Sequence, residues 1–420
     1  MSTTLRAELA RLHAIGVAAV QGETVLSEHT RALAHALEFK RGERSLQLSW
    51  PEPKQGGRLR VIGIGKAVEG MAHGLRVSLQ AAGRDVDDGL LVVRDHDSQH
   101  EKLVPWRVVI GDHPLPGPAS ERAARELLEF IGSPTAADRF VVLLSGGASA
   151  LCALPVPGVT LEEKRRITAA LMQRGAPIAE LNRVRRSLSA IKGGKLAARL
   201  APAAFVTLAI SDVPGDDPAV IGSAPTWQDD LPAAQRSPYI VIATLDDTLQ
   251  AIEGAAMNRG WHIESMGRCI YAQVAEESEK ILQRIDVLIR RGNPRGGVHL
   301  LLAGGEPLVE VRGQGRGGRA QEFALRLAAG LAKRAAVDPR YADVLGLVAG
   351  TDGSDGPTPA AGGFFDGRTV ARLEMQGLRV TDLLDANDSY HALQASGDLF
   401  VTGPTGTNVA DVLMVAIPSG

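Results

Sequence analysis

Short, nearly unbroken apolar runs recur along the chain, most of them ending on glycine, serine or aspartate. They are RLRVIGIG (58–65), GLLVVRD (89–95), WRVVIGD (106–112), RFVVLLSGGASA (139–150), AFVTLAISDV (204–213), YIVIATLDD (239–247), VHLLLAGGEP (298–307), DVLGLVAGTDG (343–353) and VLMVAI (412–417). Between many of them lie longer stretches with apolar residues three and four apart, such as AVEGMAHGLRVSLQAA. A strand covered on one face alternates apolar and polar positions, whereas one covered on both faces carries an unbroken run. Such runs alternating with helical stretches predict an α/β fold, with parallel strands covered on both faces. The first forty residues, with Leu5, Leu9, Leu12, Ile15 and Val20 among their apolar positions, read as amphipathic helix. Periodicity breaks over SAPTWQDDLPAAQRSP. That proline-rich polar stretch predicts an amino-terminal domain at 1–235 and a carboxy-terminal domain at 236–420.

Composition narrows the class of protein. With 46 Lys+Arg against 48 Asp+Glu the net charge is −2, which lacks the basic excess of a nucleic-acid binder. Two cysteines, Cys152 and Cys269, exclude a disulfide scaffold and a cysteine-built zinc site, and suit a reducing compartment. No run reaches the roughly 18 apolar residues of a membrane span, and MSTTLRAELARLH lacks the apolar core of a signal peptide. The expectation is a soluble cytoplasmic protein without membrane or nucleic-acid partners; oligomeric state stays open, a homo-oligomer included. One count stands out. Glycine supplies 47 of 420 residues, about 11% against a usual ~7%.

Those glycines gather where strands end: Gly63 and Gly65, Gly146 and Gly147, Gly304 and Gly305, Gly350 and Gly353. Parallel sheets bind ligands beyond the carboxyl ends of their strands. Glycine there lets backbone N–H groups approach an anion, which the next helix start also attracts. Any one of these is equally explained as a tight turn; several in one chain favour a large anionic ligand. GIGKAVEG matches a dinucleotide fingerprint only in part. Gly63 and Gly65 fit, but Val68 stands at the third position, and no acidic residue ends a second strand about 20 residues on. Lys66, directly after the turn, is placed to face an anion bound there. In SGGASAL, Ser145, Gly146, Gly147, Ala148 and Ser149 offer hydroxyls and N–H donors at a helix start. The G-x-S-x-G pattern of a serine hydrolase is missing, so a phosphate or carboxylate cradle is the better reading.

Charge is patterned as well. LNRVRRSLSAIKGGKLAARLAP (181–202) carries Arg183, Arg185, Arg186, Lys192, Lys195 and Arg199 with no acidic residue, and KGGK sets Lys192 and Lys195 around a flexible turn. SDVPGDD follows with Asp212, Asp216 and Asp217. Carboxylates at a strand end beside a basic segment suit Mg²⁺ with phosphates, while a helix-capping turn accounts better for Asp217. Farther on, GGEP contributes Gly304 and Glu306, and RGQGRGGRAQEFAL presents Arg312, Arg316 and Arg319 among glycines. Arginine offered to phosphate or carboxylate is the preferred reading there. GTDGSDGPTPAAGG adds Asp352 and Asp355; TGPTGTNVAD adds Thr407, Asn408 and Asp411. His96 and His100 flank a loop and do not form a zinc pair. The P-loop and the H-R-D and D-F-G elements of protein kinases are absent.

Taken in order, GIGKA, GDHPLPG, SGGASAL, LNRVRRSLSAIKGGKLA, SDVPGD, GGEP, GRGGRAQEFAL, GTDGSDGPT and TGPTGTNVAD closely resemble the glycerate 2-kinase family, whose carboxy-terminal half is the MOFRL domain. The resemblance spans about residues 60–411. It implies a larger Rossmann-like parallel-sheet domain, a smaller α/β MOFRL domain and an active site in the cleft. It also implies phosphorylation of D-glycerate at the 2-hydroxyl by ATP with Mg²⁺ or another divalent cation. The family's lysine, aspartate and arginine fall on Lys66, Asp212 and Arg319. Asp212 then serves as base or, with Asp216, as metal ligand. Gly63, Gly65, the Ser145–Ser149 loop, Lys192, Lys195, Gly304, Glu306, Asp352, Asp355, Thr407 and Asn408 are expected to bind substrate or nucleotide. Some members are named hydroxypyruvate reductase, an NAD(P)H-dependent alternative that the incomplete fingerprint disfavours. RDHDSQH (94–100) departs from the glycine-containing loop expected there, a difference that bears on substrate selection.

Overall fold

Six of the apolar runs line up side by side, all pointing the same way. The computed structural model describes residues 2–94, 106–174, 178–232, 235–293 and 296–418; beyond Arg94, the 94–100 segment lies outside the described residues, and so do His96 and His100. The chain divides into two compact units. The larger comprises Val20–Thr244 with Gly406–Asn408; the other comprises the amino-terminal helix, Leu245–Thr405 and Val409 onward.

The larger unit opens with a helix, Gly22–His29, followed by strands β1 (Thr30–Ala32), β2 (Ala36–Arg41) and β3 (Arg44–Ser49) in an antiparallel meander. The expected helix over the first forty residues is thus corrected: helix is confined to Ser2–Ala18 and Gly22–His29. Leu37 and Phe39 flank polar Glu38 and are buried, as is Leu48 across the hairpin. That period of two is a strand signal, and the two-residue turn between paired Arg41 and Arg44 closes the hairpin.

The main sheet follows: β4 (Leu59–Ile64), β5 (Asp88–Arg94), β6 (Arg107–Gly111), β7 (Arg139–Leu144), β8 (Ala204–Ile210) and β9 (Tyr239–Ala243). All neighbours are parallel, in the order β6-β5-β4-β7-β8-β9. Every residue of β4 and β7 is buried, which is why both read as apolar runs apart from Arg60 and Arg139. Ile62, Leu90, Leu127, Phe140, Val142 and Leu196 join one core. The order reverses between β4 and β7, and such a switch point opens a crevice at the carboxyl ends of the strands. β9 belongs to this sheet, so the unit runs past the expected division at 235/236.

The second unit contains β10 (His262–Ile270), β11 (Val298–Gly305), β12 (Leu345–Gly350), β13 (Gly362–Asp366), β14 (Leu399–Phe400) and β15 (Asp411–Pro418), in the order β10-β11-β15-β12-β13-β14. Only β10 and β11 run parallel; the other pairings are antiparallel. This corrects the expectation of parallel strands throughout. β11, β12 and β15 are buried along most of their length, and a strand covered on both faces is apolar whichever way it runs. Helices Val274–Arg291 and Arg319–Ala335 bury Ile281, Ile285, Phe323 and Leu327 with Leu301 and Leu413 of the sheet. Asp411, first in β15, pairs with the last residues of both β11 and β12, Gly305 and Gly350. Among the described residues no helix is long and apolar enough to cross a membrane.

Candidate active-site groups

At the switch point the turns after β4 and β7 are tied to each other. Lys66 N donates to Gly146 O (3.0 Å), Ser145 N to Ile64 O (3.2 Å) and Ala67 N to Ser145 Oγ (2.9 Å). Gly65 makes the interlock possible. Its φ of +141° is disfavoured for a side chain, and a Cβ there would overlap Ser145 Oγ. Lys66 follows at once, with its residue only 9% exposed. Its stem and the His113 ring both flank Gly147, each 3.3 Å from where a Cβ would stand.

Asp212, just beyond β8, approaches the same turn. A Cβ on Gly146 would collide with Asp212 Oδ2 and lie 2.6 Å from Asn408 Nδ2. Asn408 Nδ2 donates to Asp212 Oδ2 at 2.7 Å. Lys66, Ser145, Gly146, Gly147, Asp212 and Asn408 are therefore neighbours. His113 joins them. Sequence reasoning misses it as a site residue, although it sits in the GDHPLPG motif. Thr407 is engaged differently: its Oγ1 donates to Val20 O (2.7 Å) and fastens residues 406–408 to this unit. Gly63 lies inside β4, where a side chain would meet Leu91 at 2.6 Å, so packing accounts for it. Asp216 lies in the turn Pro214–Asp216 with φ +52°.

The two lysines of KGGK have distinct surroundings. Lys192 Nζ donates to Ser149 O at 2.8 Å, and Ser149 Oγ bonds Ser223 Oγ at 2.6 Å. Burial, reinforced by Lys164, lowers the Lys192 ammonium to about 7. Lys195 Nζ donates to Arg186 O (3.0 Å) and to Ser189 O at the end of helix Ile178–Ser187. A cation there offsets the unsatisfied carbonyls of the last turn.

In the second unit Arg319 opens helix Arg319–Ala335. Its Nε and Nη2 donate to the two Asp411 oxygens (2.7 and 3.1 Å), and Nη1 donates to Glu306 Oε1. Burial disfavours the guanidinium charge, but Asp411 and Glu306 outweigh it and hold the group above its ordinary value. Three N–H groups are engaged in these contacts, from the five a guanidinium carries. Asp352 Oδ1 accepts from Ser354 N at 3.0 Å and lies beside Gly350. Gly304 packs against Leu245, whose side chain would stand 2.8 Å from a Cβ at that glycine.

Asp355 has a structural part to play. It accepts from Gln321 N (2.9 Å), Ala320 N (3.3 Å) and Gln321 Nε2 (3.0 Å), closing the first turn of the Arg319 helix. Burial, with Asp411 adding to it, raises its carboxyl to about 7. The unfolded chain loses that proton near pH ~4. The folded state therefore binds the proton more tightly, and the stabilisation is greatest below pH ~4 and is lost as pH rises to about 7. Asp355→Asn is expected to flatten the fall in stability across that window. Urea midpoints at about pH 4.5 and about pH 7 measure it, and a slope equal to wild type counts against the assignment.

Among the described residues no three His, Cys, Asp or Glu side chains converge to hold a metal ion. Mg²⁺ is commonly held by one or two carboxylates with substrate phosphates completing the shell. Asp212 at the switch point suits that arrangement.

Comparison with known proteins gives a consistent result. Residues 8–252 match the model described as "Domain of unknown function (DUF4147)", and residues 299–411 match the MOFRL family. The chain is 33% identical over 386 residues to the D-glycerate 2-kinase of Thermotoga maritima, covering 85% of this chain and 90% of that protein. It is 35% identical over 401 residues to a putative hydroxypyruvate reductase of Agrobacterium vitis, covering 86% and 87%. A crystal structure of glycerate kinase from Thermotoga maritima superposes with a TM-score of 0.78 at 30% identity, over 99% of this chain and 100% of that one.

Proposed function

The chain belongs to the glycerate 2-kinase family, and on that premise we propose that it transfers the terminal phosphoryl group of ATP to the 2-hydroxyl of D-glycerate, giving 2-phosphoglycerate. The observation that supports this most directly is the gathering of Lys66, His113, Asp212 and Asn408 about the Gly146–Gly147 turn. Phosphoryl transfer asks for in-line placement and charge neutralisation, with little covalent work by the protein. Lys66 supplies a cation, and backbone N–H groups of the Ser145–Ser149 loop supply further donors. Asn408 engages one oxygen of Asp212, which orients the carboxylate. Asp212 then accepts the proton of the 2-hydroxyl as that oxygen attacks phosphorus, and ADP leaves with the electrons of the broken P–O bond. In the second unit Arg319 is assigned to phosphoryl oxygens through N–H groups not engaged by Asp411 or Glu306.

A divalent cation fits as a companion of the nucleotide; as the alternative to its role as base, Asp212 would hold it, with Asp216 the second candidate. When bound, it neutralises phosphate charge. A cytoplasmic setting suits an ATP-dependent reaction and a chain whose two cysteines are both free.

The reductase reading has the name of the Agrobacterium relatives in its favour. One experiment separates the two. The protein is incubated with ATP, Mg²⁺ and D-glycerate, and the product is identified by phosphorus NMR. A 2-phosphoglycerate signal is expected. A 3-phosphoglycerate signal contradicts the regiochemistry, and oxidation of NADH by hydroxypyruvate without any phosphorylated product favours the reductase.

A further inference from the structure

Lys164, on helix Leu161–Gln173, is 5% exposed, and its ammonium has no hydrogen-bond partner among the described residues. An unpaired buried ammonium is strongly disfavoured. Its electrostatic neighbours make the position worse: Lys195 and Arg185 act on it, and Lys164 and Arg185 act on Lys192. The sulfur of Cys152 also faces both lysines, but burial raises that thiol to about 12, so it brings no negative charge at neutral pH. Burial is the main cause lowering the Lys164 ammonium to about 8. No carboxylate is among the charges acting on Lys164, and three on this stretch of chain have partners of their own. Glu163 accepts from Thr160 N and Oγ1 (2.8 and 2.9 Å), Glu180 pairs with Arg174, and Asp229 pairs with Arg186.

A buried ammonium set among further cations calls for an anionic ligand. We propose that Lys164, Lys192 and Arg185 bind the polyphosphate tail of the phosphoryl donor, beside the Ser149 end of the Ser145–Ser149 loop. This inference rests on the kinase reading. Charge decides between the two substrates: glycerate brings one negative charge, whereas a triphosphate brings several, enough to match three cations. Placement agrees. Lys192 reaches the loop at Ser149 O, while Lys66 and Asp212 meet it at its glycines. The loop thus offers one end to the donor phosphates and the other to the acceptor. Lys192 spends one ammonium hydrogen on Ser149 O and has two more to give.

The test uses inorganic tripolyphosphate, whose binding is read independently of turnover. Saturating tripolyphosphate is expected to raise the Tm of the wild-type protein by on the order of 5 °C. Lys164→Met should lose most of that rise while keeping the rise produced by D-glycerate, and Lys164→Arg should restore much of it. The unliganded Lys164→Met protein should melt no lower than wild type, because an unpaired buried charge has been removed. If Lys164→Met does not fold, Arg185→Gln carries the same test, with at least a tenfold loss of tripolyphosphate affinity expected. No response in wild type, or an undiminished response in the variants, overturns the site. Loss of the glycerate response in place of the tripolyphosphate response also overturns it. A full tripolyphosphate response with no phosphorylation of glycerate instead counts against the proposed reaction and leaves the anion site standing.

Discussion

Replacing Lys66 by alanine is expected to lower kcat for D-glycerate phosphorylation by about 10²–10³-fold, the usual consequence of deleting a preorganised group aimed at developing charge. The fold should tolerate the change. The turn is held by backbone bonds, Lys66 N to Gly146 O and Ser145 N to Ile64 O, which alanine keeps. Tm should therefore move by only a few degrees. Lys66→Arg should recover little, because a planar guanidinium does not place its charge where a compact ammonium does. Steady-state kinetics beside a thermal melt read both effects. Turnover near wild type in Lys66→Ala would remove this lysine from the mechanism. Arg319→Ala is a less clean experiment. It strands buried Asp411 next to Glu306, so a loss of stability accompanies any loss of rate.

Asp212→Asn is expected to cost about 10²–10⁴ in kcat, the range for removal of a general base. Asparagine preserves the shape and can still accept from Asn408, so the loss reports on charge and basicity. A magnesium titration separates the two roles open to this carboxylate. If Asp212 takes the proton, the loss persists at every metal concentration. If it chiefly binds metal, the apparent metal requirement rises and high Mg²⁺ restores much of the rate. A variant with both kcat and metal dependence unchanged eliminates both roles.

Most strands were legible because buried strands write themselves as apolar runs: β4, β7, β11, β12 and β15 all declare themselves this way. Direction was not legible. A run such as VLMVAI is apolar because both of its faces are covered, and that says nothing about whether its neighbours run parallel. The β2–β3 hairpin carried a readable signal in the alternation of Leu37 and Phe39, but the helical phase of the preceding residues overshadowed it. β10 was missed because it is only partly buried along most of its length. At the site, Lys66, the Ser145–Ser149 loop and Asp212 were accessible to sequence reasoning because each follows a strand. Their meeting depends on strand order, which no local pattern contains. Asp355 and Thr407 show the opposite case. Polar residues in glycine-rich loops look like ligand contacts, and here one closes a helix and the other ties down a chain segment. Lys164 gave no signal, since one lysine within LEEKRR resembles any solvated helix face until its burial is known.

The path of the polypeptide through residues 406–408 limits how this protein can be taken apart. Asn408, which steadies Asp212, is encoded almost two hundred residues later, just before the chain turns into β15. A fragment ending at Thr244 would retain the six-stranded sheet and Lys66 yet lack the amide that orients its carboxylate. The gene therefore has no single cut that yields the unit of Lys66, Asp212 and Asn408 intact. Recombination of amino-terminal and carboxy-terminal segments between relatives should succeed only where the incoming tail brings a matching asparagine, so the two halves are expected to be inherited together.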